Sequence, residues 1–341
     1  MKGRSSASRS AAWTRGRGEE AARQADAAQA TPLQQGLLLA GHGRHFVVEG
    51  PAHQPVLCVP RGKKSEAVVG DRVQWRPTEE DGSQGVIEAV LPRRNLLYRQ
   101  DEWRSKMFAA NLDRLLVMVA AQPVFSESQL ARALIAADDA GLAVTILLNK
   151  IDLAEAAAQA RERLAPYVAM GYQVLELALK SRAEDGSAAA QSDAAHEELA
   201  RLLADATTVV LGPSGTGKST LVNLMTRGAA QAETGEVSLA LNSGRHTTTH
   251  TRWYWLDEGH TAALIDTPGF QEFGLQHIEL ARLAAHMPDL AAHHADCRFT
   301  NCTHEHEPGC AVLAALARGE IATSRHRIYL ELRAELSRTR W

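Results

Sequence analysis

A glycine-rich segment in the second half of the chain has a composition that suits the binding of phosphate groups. It reads Gly212-Pro213-Ser214-Gly215-Thr216-Gly217-Lys218-Ser219-Thr220, and it begins with the pattern G-x-x-x-x-G-K-[ST]. Glycines let backbone N–H groups turn toward phosphate oxygens, and a following helix adds positive potential at its first turn. We expect Lys218 to reach the β- and γ-phosphates of a nucleotide and Ser219 to bind Mg²⁺.

A second short motif, Asn149-Lys150-Ile151-Asp152, indicates which base the nucleotide carries. The Asp152 carboxylate can accept hydrogen bonds from N1–H and the exocyclic amine of guanine together, a pair that adenine does not offer. The Lys150 stem can lie along the base plane, and we expect Asn149 to tie the motif to the phosphate loop. The alternative is a P-loop ATPase or kinase with a chance match, for which GDP would compete no better than ADP.

Three cysteines and a histidine lie close together near the C-terminus, in the pattern Cys297-x4-Cys302-x-His304-x5-Cys310. Three sulfur ligands and one imidazole suit tetrahedral Zn²⁺, and four protein ligands leave no position for a substrate water. The pattern therefore predicts a structural zinc site rather than a catalytic zinc enzyme. The alternative is that the three cysteines are unrelated free thiols that bind no metal. His304 is the preferred nitrogen ligand, and its competitors are His293, His294 and His306.

The strands and helices that must position these motifs are indicated by the apolar runs between residues 112 and 273. Short runs typical of buried strands alternate with helical periodicity, which favours a mostly parallel sheet covered on both faces. Predicted strands lie at 115–121, 144–148, 174–177, 208–211 and 262–265, and predicted helices at 128–140, 154–170 and 219–226. The low-complexity stretch 183–195 is interpreted as a loop. Beyond residue 273 the pattern is helical.

Between residues 36 and 91 the pattern is different, because short apolar runs are separated by Gly, Pro and Asp. Five such runs, at 37–40, 45–48, 56–59, 68–75 and 85–90, predict a small barrel of the OB type. An SH3-like barrel has similar spacing. The basic loop Arg61-Gly62-Lys63-Lys64 suits contact with nucleic acid, and an ordinary solvated loop is the alternative.

Bulk composition gives weaker information. The chain has 341 residues and a formal net charge of −3, so overall charge does not indicate a nucleic-acid-binding protein. RNA contact is suggested by residues 1–35, interpreted as a disordered basic arm, and by the group Arg93, Arg94, Arg99, Arg104 and Lys106. No apolar run reaches the ~18 residues of a membrane span. The N-terminus has no secretory signal, so clustered cysteines favour metal over disulfides.

These motifs together resemble those of the circularly permuted GTPases, in particular the bacterial ribosome small-subunit-dependent GTPase family. In that family the guanine motif precedes the phosphate loop, as residues 149–152 precede residues 212–219 here. Gly244-Arg245-His246-Thr247-Thr248 resembles switch I, and Asp266-Thr267-Pro268-Gly269 resembles switch II. The family's second base-contacting segment, usually a Ser-Ala pair, is here Ala178-Leu179-Lys180, which lacks the serine hydroxyl but keeps backbone N–H groups for the guanine oxygen.

The resemblance implies roles in hydrolysis for the switch residues. Thr248, or alternatively Thr247, would bind Mg²⁺ and the γ-phosphate. Asp266 would hold Mg²⁺ through a water molecule, and the Gly269 N–H would contact the γ-phosphate. The zinc ligands that the resemblance implies are the same four residues as above.

The group that orients the attacking water is the open question of the proposed chemistry. Phe270 stands where Ras-like enzymes have a glutamine, so we expect slow intrinsic hydrolysis that a partner stimulates. His246 and His250 flank the switch threonines and are the candidates, with His250 preferred. A solvated loop histidine is the alternative for either.

The resulting fold class is a circularly permuted α/β P-loop GTPase core with an N-terminal OB-type β-barrel and a C-terminal α-helical zinc-binding domain. The predicted boundaries are 1–35, 36–106, 107–275 and 276–341. The resemblance implies a cytoplasmic, monomeric GTPase that uses GTP, Mg²⁺ and one structural Zn²⁺. Its implied partners are the small ribosomal subunit, its rRNA and other maturation factors. An RNA-binding module with a structural nucleotide site is the alternative, and it predicts no subunit-stimulated turnover.

Overall fold

The computed structural model describes residues 32–62, 65–79, 82–101, 104–179, 186–226, 251–268 and 275–338. The chain divides into two units between Arg93 and Arg94. Sequence alone placed the end of the barrel at residue 106, whereas the last barrel strand ends at Val90 and the next two strands form a separate sheet. Lys63, Lys64 and nearly all of the predicted arm lie outside the described residues.

The described part of the first unit forms a barrel of five strands. They are β1 (Gln34–His42), β2 (His45–Glu49), β3 (Pro55–Pro60), β4 (Arg72–Pro77) and β5 (Gln84–Val90). Neighbouring strands pair in the order β1-β2-β3-β5-β4, and β1 also pairs with β4, which closes the barrel. Only β3 and β5 pair in parallel among these strands. This order is that of an OB-type barrel, so the fold prediction is confirmed for this unit.

Side chains alternate between the inside and the outside of the barrel along each strand. Val56 and Cys58 of β3 are fully buried, whereas Leu57 between them is 46% exposed. Cys58 is therefore a core residue of the barrel. Trp75 is also buried, and Gly85 lies so close to it that an added Cβ would come within 2.6 Å of Trp75 Cε3. Glycine is required at that position by the close approach of the indole.

Two arginines from the supposed RNA-facing cluster make ion pairs within their own units. In the first unit, Arg93 donates from Nε and Nη2 to the two carboxylate oxygens of buried Asp71, at 2.7 and 2.9 Å. Arg93 Nη2 also donates to the Glu66 carbonyl oxygen at 2.7 Å. In the second unit, Arg94 donates to Asp113 Oδ1 at 2.7 Å. Arg93 is thus a structural residue rather than part of an exposed basic surface.

The second unit contains a hairpin and a larger sheet. The hairpin pairs β6 (Leu96–Asp101) with β7 (Arg104–Ala110). The strands of the sheet are β8 (Arg114–Ala120), β9 (Ala143–Asn149), β10 (Gln173–Leu177), β11 (Thr207–Leu211), β12 (Arg252–Trp255) and β13 (Ala263–Asp266). Their order is β10-β9-β8-β11-β13-β12, and among them only β12 is antiparallel. The chain continues from β8 to one side and from β11 to the other, so a topological switch point lies between them, where ligands commonly bind.

Helices connect the strands of this sheet. They are α1 (Glu127–Asp139), α2 (Ala154–Ala169), α3 (Gly186–Leu203) and α4 (Lys218–Met225). The prediction that residues 183–195 form a loop is wrong, because most of that stretch belongs to α3. Its alanines favour a helix, and its apolar anchors, Leu199 and Leu203, lie only at the C-terminal end, where they pack into the core with Leu175 and Leu177.

The residues after 275 form short helices, as predicted. They are a 3-10 helix (Leu280–His286), α5 (Pro288–His294), α6 (Ala311–Ala317) and α7 (Thr323–Arg338). Buried Arg325 of α7 donates from Nε and Nη2 to Asp289 of α5 at 2.9 and 3.1 Å. Its guanidinium carbon lies 5.2 Å from the ring centroid of Tyr167 on α2, which joins α7 to the sheet-covering helices. In the ranges that the structure describes, no helix has both the length and the hydropathy needed to cross a membrane.

Candidate nucleotide site and metal centre

The glycine-rich segment connects β11 to α4 at the switch point of the sheet. Gly215 and Gly217 have φ angles of 81° and 106°, in the left-handed region that residues with a Cβ rarely adopt. Gly212 is required for another reason, because an added Cβ would lie 2.2 Å from the Met118 carbonyl oxygen of β8. Ser214 and Gly215 at the apex are exposed. The segment therefore has the tight, accessible backbone curve that a phosphate-binding loop needs.

Lys218 lies inside this loop rather than extending into solvent. Its ammonium donates to the carbonyl oxygens of Gly212 at 2.6 Å and Pro213 at 2.9 Å. Thr216 Oγ1 donates to the same Pro213 oxygen at 2.9 Å. Burial lowers the pKa of Lys218, and the charge of Asp266 opposes that shift. A cationic group is thus held within the loop, where the phosphates of a nucleotide would compensate its charge.

Asn149 connects three loops at the carboxyl edge of the sheet. Its Nδ2 donates to the Thr216 carbonyl oxygen at 2.8 Å, and its Oδ1 accepts from Leu179 N at 3.1 Å. The residue is 3% exposed, so both hydrogen bonds are shielded from water. The first of them confirms the expected tie between the guanine motif and the phosphate loop. The second links both to the segment Ala178-Leu179, which the family resemblance had indicated as a base contact.

Lys150 and Asp152 lie in the turn that follows β9. Lys150 has a φ of 64°, and its ammonium donates to the Gln122 carbonyl oxygen at 2.7 Å. Ile151 N donates to the Leu177 carbonyl oxygen at 3.3 Å, which fixes the turn against β10. Asp152 is exposed. The turn therefore presents a carboxylate to solvent beside the phosphate loop, an arrangement that suits recognition of guanine N1–H and amine groups.

The start of the switch II sequence is anchored beside the phosphate loop. Asp266 is the last residue of β13, which pairs in parallel with β11, and it is 4% exposed. Thr267 Oγ1 donates to the Val210 carbonyl oxygen of β11 at 2.8 Å. Ser219 is exposed in the first turn of α4, and Thr220 follows it. Hydroxyl and carboxylate oxygens at these positions are suitable ligands for Mg²⁺.

Several predicted site residues lie outside the described part of the chain. They are Lys180, His246, Thr247, Thr248, His250, Gly269 and Phe270. Their roles in base contact, magnesium binding and hydrolysis stay predictions.

Two contacts of the site were not foreseen from the sequence. One is the Gln122 carbonyl oxygen, which holds the Lys150 ammonium, and the other is the Thr267 hydroxyl on β11. Gln122 follows the predicted strand 115–121 directly. Because the carboxyl end of that strand lies at the ligand-binding edge of the sheet, the sequence position of Gln122 indicated that it is near the site.

Gly217→Ala is expected to weaken GDP binding by about tenfold, because two effects act together. A left-handed alanine costs roughly 1–2 kcal/mol, and its Cβ would lie 2.4 Å from Asn149 Nδ2, displacing the bridging amide. Gly171→Ala is the matched control, since Gly171 has a φ of 91° with nothing within 4 Å of an added Cβ. Calorimetry with GDP should show a loss for Gly217→Ala alone. Equal affinity in the two variants would contradict the bridging role.

The predicted metal ligands are brought together by the structure. One ligand atom from each of Cys297, Cys302, His304 and Cys310 lies within 4.8 Å of all the others. His304 Nδ1 lies 3.6 Å from Cys297 Sγ and 3.4 Å from Cys310 Sγ, and the two sulfurs are 3.8 Å apart. Burial lowers the pKa of His304, which favours the neutral imidazole that binds metals. The set of donors fits a four-coordinate ion.

Surrounding residues hold the backbone of this cluster in place. His304 has a φ of 59°, and its carbonyl oxygen is 2.8 Å from His326 Nε2 of α7. Tyr329 of α7 donates its hydroxyl to the Thr303 carbonyl oxygen at 3.0 Å. The Glu307 carboxylate accepts from Thr303 N at 2.7 Å, from the Thr303 hydroxyl, and from two further backbone N–H groups. Of the four histidines considered as the nitrogen ligand, it is thus His304 that the fold directs at the thiols.

Comparisons with known proteins agree with this geometry. A family model described as RsgA GTPase matches residues 90–276. The chain is 56% identical over 313 residues to the protein named "Small ribosomal subunit biogenesis GTPase RsgA" from Variovorax paradoxus (strain S110), covering 91% of this chain and 94% of the relative. It is 54% identical over 304 residues to the protein of the same name from Burkholderia pseudomallei (strain 668), covering 89% and 92%.

The chain belongs to the RsgA GTPase family. Among solved structures, the YjeQ crystal structure from Thermotoga maritima is 27% identical with a TM-score of 0.64, covering 89% of this chain and 99% of that one. YloQ, described as a circularly permuted GTPase, has a TM-score of 0.62 at 23% identity, and the match covers 91% of this chain and 97% of that one. At this identity the similarity supports the fold only. The resemblance to circularly permuted GTPases is therefore confirmed, and membership in the RsgA GTPase family places the chain among GTPases.

Proposed function

We propose that the protein binds GTP and hydrolyses it to GDP and phosphate during late maturation of the small ribosomal subunit. The observation that carries the guanine nucleotide assignment is the buried Asn149 side chain, which joins the phosphate loop to the guanine motif. A P-loop ATPase with a chance N-K-x-D sequence would not need this connection. The maturation role is supported by the names of relatives that are more than half identical over most of the chain.

The proposed roles of the site residues follow from their chemistry. Asp152 reads the base edge and Lys150 lies along the base plane, while Ala178, Leu179 and Lys180 offer backbone N–H groups to the guanine oxygen. Residues 212–220 cradle the phosphates, with Lys218 on the β- and γ-phosphates. Ser219 and Thr248 hold Mg²⁺, which would neutralise phosphate charge, and Asp266 supports that ion. Gly269 contacts the γ-phosphate, and His250 is the candidate for orienting water.

The metal cluster is proposed to hold one Zn²⁺ with a structural role. Three thiolates and one imidazole are the donors that zinc favours, and the four protein ligands complete its shell. Residues His326 and Tyr329 of α7 fix the ligand loop, so the ion would fasten that loop to α7 rather than take part in a reaction.

The proposed partners are the small ribosomal subunit, its rRNA and other maturation factors of that subunit. The barrel is the proposed RNA-binding unit, because OB-type barrels bind nucleic acids through exposed strands and loops. A cytoplasmic monomer is the proposed state.

GTP turnover measured with purified ribosomal subunits tests the proposal. We expect slow intrinsic turnover that rises by at least about tenfold on addition of small subunits and stays unchanged with large subunits, because a partner must complete a site without the switch II glutamine. Lys218→Ala should abolish the stimulated rate. An RNA-binding module with a structural nucleotide would bind small subunits without any stimulation of turnover, and that result would overturn the enzymatic role.

A further inference from the structure

One arginine of α2 attaches this helix to the segment that leads into α1. Arg163 donates from Nη2 to the Phe125 carbonyl oxygen at 2.8 Å, and the same nitrogen lies 3.4 Å from Glu127 Oε1. The Arg163 guanidinium carbon is 4.9 Å from the centroid of the Phe125 ring. One turn later on the same face, Tyr167 donates its hydroxyl to the Glu127 carbonyl oxygen at 3.3 Å. Two side chains of α2 therefore hold residues 125–127.

The segment held in this way carries the hydrogen-bond acceptor of Lys150. Gln122, Pro123 and Val124 are all exposed, whereas Phe125 is 4% exposed. The Lys150 ammonium donates to the Gln122 carbonyl oxygen at 2.7 Å. A short exposed stretch with little packing of its own depends on its anchors to keep a fixed position. This stretch is anchored by β8 at its N-terminal end and by Phe125 at its C-terminal end. Phe125 in turn is held by Arg163.

We infer that Arg163 is a positioning residue for the guanine motif. Arg163 holds the segment that carries the Gln122 carbonyl, and this carbonyl in turn orients the Lys150 side chain beside the base. The inference rests on the proposed binding of guanine nucleotides, and Arg163 itself acts only through residues 122–127. The contact that it supports is made by the Lys150 stem with the face of the base. That face is shared by guanine and hypoxanthine, whereas the exocyclic amine that distinguishes them lies on the edge that Asp152 reads.

This difference gives Arg163→Ala a distinct signature in calorimetry with GDP and with inosine diphosphate. The dissociation constants for GDP and for inosine diphosphate should both rise by about tenfold. This is the effect of losing one charge-assisted hydrogen bond, here the bond from the Lys150 ammonium to the Gln122 carbonyl oxygen. Their ratio should stay at the wild-type value, because Asp152 is unaffected. In turnover, the KM for GTP should rise by about tenfold while kcat changes by less than about twofold, as expected for a loss of ground-state binding.

Arg161→Ala is the matched control on the same helix. Arg161 points to β10, where its guanidinium donates to Glu176 at 2.6 to 3.1 Å, so its hydrogen bonds are directed away from residues 122–127. Its removal should leave both dissociation constants unchanged. Arg163→Lys keeps one donor for the Phe125 carbonyl and should give a smaller loss in the same direction. Should Arg163→Ala unfold, as judged by its thermal transition, the lysine variant carries the test.

A double-mutant cycle with Lys150→Ala decides whether the effect passes through Lys150. If it does, adding Arg163→Ala to Lys150→Ala should cost no further affinity. Additive losses overturn the inference, as do wild-type constants for both Arg163 variants. Failure of the proposed function looks different, because the wild-type protein would then bind GDP and ADP equally. A wild-type preference for GDP combined with identical behaviour of Arg163→Ala and Arg161→Ala rejects only the positioning role.

Discussion

Asp152→Asn is expected to move the base preference of the protein from guanine toward xanthine. The carboxylate accepts two hydrogen bonds from guanine, each worth about 1.5–3 kcal/mol when the acceptor is charged. Asparagine offers one acceptor and one N–H group, and that N–H group would face a donor of guanine. We therefore expect GDP to bind roughly 10² to 10⁴ times more weakly. Xanthine has a carbonyl oxygen where guanine has the amine, so the asparagine N–H gains a partner.

Competition calorimetry with the diphosphates of guanosine, xanthosine, inosine and adenosine measures this change. ADP provides the internal control, because it lacks the donor pair and should bind weakly to both proteins. Inosine diphosphate has N1–H without the amine, so the wild-type preference for GDP over it should shrink in the variant. A variant that kept the wild-type ratio of GDP to xanthosine diphosphate would show that Asp152, although exposed beside the phosphate loop, does not read the base.

The sequence predicts the nucleotide-binding edge well because its signals are local. Buried strands appear as short apolar runs, and each motif directly follows such a run. The predicted strands 144–148 and 208–211 correspond to β9 (Ala143–Asn149) and β11 (Thr207–Leu211). Since parallel strands share their carboxyl edge, the motifs after them must lie near one another. The Asn149 hydrogen bond to the phosphate loop was therefore foreseeable.

The parts that were not predicted depend on contacts between distant residues. The N-terminal half of helix α3 is rich in Ala, Ser and Gln and has no apolar stripe. Leu199 and Leu203 stabilise the helix only through their packing on β10, which the local sequence does not show. Arg93 looked like one member of a basic cluster, yet its guanidinium binds Asp71, which is 22 residues away in the sequence. The role of Gln122 belongs to its backbone carbonyl, which has no sequence signature. Tertiary pairing of this kind overrides composition.

Cys302→Ser is expected to remove the metal and to destabilise the segment from residue 297 to α7. Zinc binding in small domains contributes directly to folding, and loss of a metal belongs to the mutations that cost about 4 kcal/mol or more. Burial, together with the neighbouring Cys297 and Cys310 sulfurs, raises the pKa of Cys302, so a zinc ion would displace the proton of this thiol when it binds. Elemental analysis of the purified proteins should find one zinc per wild-type chain and none in the variant.

Cys58→Ala is the matched control, because Cys58 is a buried barrel residue in the first unit and should leave the metal content unchanged. Hydrogen exchange then separates the local effect from general unfolding. In Cys302→Ser, amides of α6 (Ala311–Ala317) and α7 (Thr323–Arg338) should exchange faster. The reason is that the loop carrying the metal ligands, to which His326 and Tyr329 bind, is no longer held in one position. Asp289 of α5 is held by Arg325 without the metal, so the protection of amides around Asp289 should fall less than that of α6 and α7. Full zinc content with unchanged protection in Cys302→Ser would mean that the four donors do not form one metal site.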